Sequence, residues 1–214
     1  MTFTRAIGTA CDKVILLIVR GLALSRIHPN VLTFLGLLVN GAAAALLASG
    51  RFLAAGLVIM VAGLFDMVDG RVARETNRVT RFGGFFDSVL DRYSDLVLLM
   101  GLLVYYASIS RFFYVVLTAV VMTGSVMVSY TRARAECVIP RCKVGFMERP
   151  ERLVLLIIGA LTRRMAPVLW VIAVLSNLSV AHRMIYTWQE TRRMEEEEQA
   201  RASACEAAAS RHAG

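Results

Sequence analysis

Apolar residues fill six stretches of the sequence, and polar residues gather in the short gaps between them. A helix rising about 1.5 Å per residue needs roughly 20 residues to cross a hydrocarbon layer ~30 Å thick. The pattern therefore predicts spans at residues 30–49, 52–75, 83–108, 112–135, 149–162 and 166–189. His28-Pro29-Asn30 opens the first, since proline is tolerated in a first turn and asparagine can cap it. Gly50-Arg51 leaves room only for a very short turn. Residues 2–22 differ: Phe3, Ile7, Ala10, Val14, Leu17 and Ile18 recur at helical spacing, with Arg5, Asp12, Lys13 and Arg20 between them. That is the pattern of a helix lying in a leaflet rather than crossing it. The expected fold class is all-α integral membrane, six transmembrane helices with an N-terminal amphipathic interfacial helix.

Composition agrees. The 214 residues are 57% hydrophobic and 19% charged, against about 45–50% and about 25% in ordinary soluble domains. Lysine and arginine number 24 and acids 16, a net charge of +8, but the bases collect at helix ends rather than on one surface, which argues against nucleic acid as a partner. Their distribution sets orientation. Arg71, Arg74, Arg78, Arg81, Arg132, Arg134, Arg141, Lys143, Arg149 and Arg152 lie on one side, and only Arg51, Arg111, Arg163 and Arg164 on the other. Ten against four places both termini in the cytosol of a multi-pass protein of the cytoplasmic membrane. No cleavable signal is expected. Cys11, Cys137, Cys142 and Cys205 have neither a disulfide framework nor zinc spacing, and the pair Cys137 and Cys142, in a basic loop read as cytosolic, is expected as reduced thiols. The chain divides into a juxtamembrane helix (1–28), a six-helix membrane domain (29–190) and a charged cytosolic tail (191–214) with the run Glu195 to Glu198, read as a solvated helical extension or disorder without a chemical role.

The anomaly is a set of acids at the cytosolic ends of spans two and three: Asp66, Asp69, Asp87, Asp91 and, deeper, Asp95. An ionised carboxylate at mid-membrane costs about 2.5–3.5 kcal/mol even on a lenient scale, so four unpaired ones would cost on the order of 10 kcal/mol. Asp66 and Asp69 are three apart and Asp87 and Asp91 four apart, so each pair shares a helix face. Side by side, the two spans would bring four hard oxygen donors together, a preference for Mg²⁺, Mn²⁺ or Ca²⁺ over zinc. An ion-pair collar with Arg71, Arg74, Arg78 and Arg92, or a cation path of the transporter or channel kind, are the competing explanations. Gly70, Ala73 and Gly83 favour a ligand site, because small residues beside the acids leave space close to the backbone, and Arg74 is placed to reach a phosphate.

The pattern Asp66-x2-Asp69-Gly70-x2-Ala73-Arg74-x8-Gly83-x3-Asp87-x3-Asp91 resembles, without a departure, the signature of the CDP-alcohol phosphatidyltransferases. The resemblance implies that Asp66, Asp69, Asp87 and Asp91 hold two divalent metals, Mg²⁺ or Mn²⁺, with Asp91 also the catalytic general base. It places Gly70, Ala73 and Arg74, and by weaker correspondence Thr33 and Thr80, at the CDP-linked lipid. It also implies a homodimer among membrane lipids with its active site facing the cytosol. Arg71 and Arg78 are read as solvated interfacial charges. Asp95, one turn beyond Asp91, is expected as a buried partner of Arg92 or of a basic residue from span four.

The acceptor must be read from elsewhere. Residues 129–136 and 145–153 gather bases at the ends of spans four and five, and this segment looks like that of the phosphatidylinositol phosphate synthases and their archaeal ether-lipid relatives. By that resemblance Arg132, Arg152 and Arg183 hold the phosphate of inositol phosphate, with Arg132 standing where better-known bacterial members have lysine. The implied reaction moves a phosphatidyl-type group from CDP-diacylglycerol or CDP-archaeol to inositol phosphate and releases CMP. Glycerol 3-phosphate, which also has a phosphate, is the alternative acceptor.

Overall fold

The computed structural model describes residues 29–75, 80–142 and 144–212, with side chains omitted for 29, 67–75 and 204–212. The expected interfacial helix at 1–28 lies outside the described residues. Six helices and no strand occur among those described: α1 (Pro29–Ala48), α2 (Phe52–Glu75), α3 (Arg81–Ser108), α4 (Phe112–Ala135), α5 (Arg149–Leu161) and α6 (Met165–His212). Their ends fall within a few residues of the apolar stretches, with one large exception. α6 runs without a break past residue 190 to His212, and its 48 residues make a rod of about 72 Å. The charged tail is therefore a continuation of the last helix. Ion pairs one turn apart, Arg192 with Glu196 and Arg193 with Glu190 and Glu197, support it there.

Three of the helices, α1, α4 and the first part of α6, are long and apolar enough to cross a membrane by length and composition alone, and Phe52–Asp66 of α2 is a shorter apolar run. α3 opens with charged residues, and α5 has only 13 residues, about 20 Å. Being so short, α5 begins recessed relative to its neighbours.

Connections differ at the two ends of the bundle. At one end residues 49–51, 109–111 and 162–164 close each hairpin in the same way. Gly50, Ser110 and Arg163 adopt positive φ, and the next amide bonds back to Leu46, Tyr106 and Gly159 respectively, satisfying carbonyls that the helix end leaves open. Consecutive helices are thereby forced antiparallel. The longer connections, including 136–148, collect at the opposite end, together with the acids.

α1 packs on α2 and α3, α2 on α5, α3 on α4, and α6 on α4 and α5. Leu47, Ile59, Leu98, Leu102, Val121, Leu169 and Ile172 form the buried centre, whereas Leu38, Leu57, Met100, Val154, Val174 and Leu178 face outward. An apolar exterior of this kind suits lipid. Lipid tails are as apolar as leucine, so close backbone approach rather than a hydrophobic drive must select helix partners. Gly101 marks the closest such approach: a Cβ there would clash with the Ala44 carbonyl oxygen and lie 2.9 Å from its Cα. Cys137 is exposed and Cys142 buried, both as free thiols.

Gly101→Val is expected to push α1 from α3 and cost about 1–3 kcal/mol of stability, the usual range for overpacking. Gly41→Ala, where a Cβ meets nothing within 4 Å, should leave the melting temperature unchanged or slightly raised; equal losses in the two variants, measured by thermal unfolding in detergent, would contradict the packing account.

Candidate active site

α2 and α3 both pack on α1; Asp66 of α2 and Asp91 and Asp95 of α3 meet around Arg149 of α5, and Asp87 lies one turn before Asp91. The three α3 acids recur every fourth residue and share one face. Asp66 and Asp91 each feel the negative charge of the other acids of this set. Asp69, Gly70, Ala73 and Arg74 lie on the final turns of α2, where only the backbone is described.

What relieves the repulsion is the start of α5. Arg149 Nη2 lies 2.7 Å from Asp66 Oδ2 and its Nη1 2.7 Å from Asp91 Oδ1, so a single guanidinium bridges α2 and α3 as an ion pair with each. Its Nε lies 3.5 Å from Asp95 Oδ1 and, although buried, makes no hydrogen bond. One turn on, Arg152 donates to Asp95 Oδ2 at 2.6 Å and to the Met147 carbonyl at 3.2 Å. Ser125 of α4 donates to the same Asp95 oxygen at 3.4 Å. Arg152 and Asp95 are only 4% and 5% exposed, and burial of both charges demands this pairing.

Asp95 therefore departs from the expected partnership. Arg92 turns back to donate to the Ser88 carbonyl of its own helix, and α4 supplies a hydroxyl rather than a base. The recessed start of α5 brings Arg149 and Arg152 level with the acid instead. Arg149 has no counterpart among the site residues expected from sequence. The available signal was a second arginine, three residues before Arg152 and on the same face, at the mouth of an apolar run.

Beyond this pair the remaining bases line the same recess. Arg132, at the end of α4, donates from Nη1 to Glu148 at 2.7 Å and from Nε to Glu136 at 3.3 Å. Arg183 of α6, 1% exposed, donates to the carbonyls of Val144 at 2.8 Å and of Val128, with Nη2 3.4 Å from Glu148. Gly145, at φ +119°, lies where a Cβ would come within 2.9 Å of the Arg183 Nε, so the loop backbone can rest on the guanidinium. Ser179 Oγ accepts from the amides of Phe146 and Met147 at 3.1 and 3.2 Å, pinning the same loop.

A cavity of about 140 Å³ opens between these groups, bounded by Asp91, Asp95, Ser129 and Glu148 and by five arginines: Arg92, Arg132, Arg149, Arg152 and Arg183. Five positive charges thus face three acids around it, and Asp66 and Asp91 already hold a cation in the form of Arg149. Two further expected residues, Thr33 and Thr80, do not line this cavity. Thr33 is buried in α1. Thr80 caps α3, its Oγ1 accepting from the Gly83 amide at 2.9 Å.

Carboxylate oxygens are the donors that hard divalent ions prefer, and their grip on a guanidinium shows that this spot accommodates positive charge. Among the described residues no three acidic, histidine or cysteine side chains converge on one point; Asp69 is outside that set.

Residues 26–189 match the model of the CDP-alcohol phosphatidyltransferase family, and the chain belongs to that family of membrane enzymes. Among its relatives, an archaetidylinositol phosphate synthase of Methanothermobacter thermautotrophicus is 36% identical over 166 residues, 75% of this chain and 83% of the relative. A phosphatidylinositol phosphate synthase of Mycobacterium tuberculosis is 36% identical over 182 residues, 80% of this chain and 84% of that one. The crystal structure of the M. tuberculosis synthase with CDP-DAG bound superposes with a TM-score of 0.76 at 33% identity, covering 82% of this chain and 94% of the other. The same enzyme in complex with manganese and citrate gives 0.74 at 35% identity, over 80% and 87%.

Asp95→Asn is expected to strand Arg152 as a buried unpaired charge and cost about 3–5 kcal/mol, with Asp95→Asn/Arg152→Gln recovering part of it. In denaturant titrations of the purified protein, a single variant as stable as the parent would refute the pairing. Mn²⁺ affinity should fall less in Asp95→Asn than in Asp87→Asn.

Proposed function

We propose that this chain transfers a phosphatidyl-type group from a CDP-linked lipid, CDP-diacylglycerol or CDP-archaeol, to inositol phosphate, releasing CMP. The observation that supports this most directly is a single recess lined by three carboxylates and five arginines. Such a set of bases suits an acceptor that already has a phosphate better than a neutral alcohol such as free inositol. The names of the relatives, synthases of archaetidylinositol phosphate and phosphatidylinositol phosphate, point the same way.

In this reading Asp66, Asp69, Asp87 and Asp91 hold two divalent ions, Mg²⁺ or Mn²⁺, supported by the manganese in the M. tuberculosis structure. Bound there, the ions would neutralise charge on the pyrophosphate and on departing CMP. Gly70, Ala73 and Arg74, with Thr33 and Thr80 at the periphery, border the CDP group. Arg132, Arg152 and Arg183 face the acceptor phosphate, Arg152 and Arg183 with their own bonds already fixing their planes. Asp91, which lines the cavity as well as the acid cluster, takes the proton of the attacking hydroxyl as its oxygen forms a bond to the lipid-side phosphorus and the bond to CMP breaks. No covalent enzyme intermediate is needed.

The same reading assigns six membrane crossings, a leaflet-bound helix at 1–28, a membrane domain at 29–190 and a cytosolic tail beyond it. It places both termini and the site on the cytosolic side of the cell membrane, in a homodimer. The recessed start of α5 fits this arrangement, since it opens the site to a water-soluble acceptor while the donor's chains stay in lipid.

Purified protein with Mg²⁺ or Mn²⁺ and one CDP-lipid should release CMP with inositol phosphate and not with serine or free inositol. Release with glycerol 3-phosphate alone would reassign the acceptor, and no release with any acceptor would remove the enzymatic reading in favour of a cation path. Asp91→Asn should lower kcat by about 100-fold or more, the usual scale for loss of a general base, while CDP-lipid binding stays close to that of the parent; parental turnover would overturn the assignment of the base.

A further inference from the structure

Two adjacent residues at the start of α5 have opposite charges and opposite partners. Arg149 lies among Asp66, Asp91 and Asp95; Glu148 lies between Arg132 and Arg183. Glu148 also stands at the N-cap of α5, where an acidic side chain commonly accepts from the helix amides, yet it makes no such bond. Its carboxylate is turned instead into the basic wall of the cavity. Arg149, for its part, leaves a buried Nε without a hydrogen bond, so its seat among the acids is incomplete. Pro150 comes next in the first turn and fixes the backbone from which both side chains diverge.

Resting on the metal and acceptor reading above, we propose that Glu148 and Arg149 are internal counter-charges for the two halves of the site. Arg149 keeps the place of a metal's charge among the acids, and Glu148 that of the acceptor phosphate between Arg132 and Arg183, so that loading each half displaces a specific ion pair. Either half would otherwise hold like charges side by side. Exchange is a matter of simple competition. If the acids are clear of Arg149 only a tenth of the time, a divalent cation binds about tenfold more weakly than the bare cluster would allow. Released from the acids, Arg149 remains beside the cavity it already lines, adding a positive charge where the acceptor phosphate arrives. Metal loading thus favours acceptor binding, and the two residues act as positioning groups that order the steps.

The test uses the full-length protein in detergent, with Mn²⁺ and inositol phosphate as probes in calorimetric titrations. Arg149→Gln should bind Mn²⁺ about tenfold more tightly than the parent, while the metal-free protein melts at a lower temperature and regains the difference on adding Mn²⁺. Arg149→Lys, which keeps the charge but cannot fork across Asp66 and Asp91, should tighten Mn²⁺ binding by a smaller factor and decides the matter if the glutamine variant does not fold. Glu148→Gln should bind inositol phosphate several-fold more tightly in the absence of metal. Purely structural roles predict unchanged or weaker affinities, and that result would overturn the inference while leaving the proposed reaction standing. If the parent binds no Mn²⁺ at all, the metal reading fails and this inference fails with it.

Discussion

The bond between arginine and carboxylate across helices is the interaction on which this bundle turns. A membrane protein gains little from burying leucine against leucine in preference to lipid, whereas an ion inside the apolar layer has no tolerable state except a paired one. Here three inward arginines meet their partners on other elements. Arg149 ties α5 to α2 and α3, Arg152 ties α5 to α3, and Arg183 ties α6 to the end of α4 and to the loop before α5. The shortest helix makes the most of these ties. α5 has little length with which to pack, and its place is set by what its first turn grips.

Much of this was legible in the residues. The helix limits came from the length of apolar runs, because the membrane thickness imposes a ruler that soluble proteins lack. The acids stood out for the same reason: Asp66, Asp87 and Asp91 are costly where they are and must have a compensating partner. Arg152 and Arg183, which the resemblance places at the acceptor phosphate, are both buried. The partners themselves were not legible. Whether Asp95 meets Arg92 or Arg152 depends on how far α5 is recessed, and that is set by the closure at residues 162–164 and the path of 136–148, neither of which has a periodic signal. Arg149 looked like one more charge at a helix end for the same reason. The tail was ambiguous because alternating charge and alanine suit both a solvated helix and a disordered segment; one-turn ion pairs beyond Trp188 decide for the helix.

Arg132 shows how the two halves of the recess are kept apart. Its Nη1 goes to Glu148 and its Nε to Glu136, so one rigid fork holds acids from the end of its own helix and from the start of α5. A lysine would present a single point of charge to both. An arginine at this position therefore fixes the direction of Glu148 as well as facing it with a positive charge. Because Glu148 and Arg149 are neighbours on one backbone, holding the first also holds the second against the aspartates. Acid wall and basic wall are then not two independent sites that happen to adjoin. They are opposite ends of one short, proline-stiffened segment, and a change in the charge at either end is felt at the other.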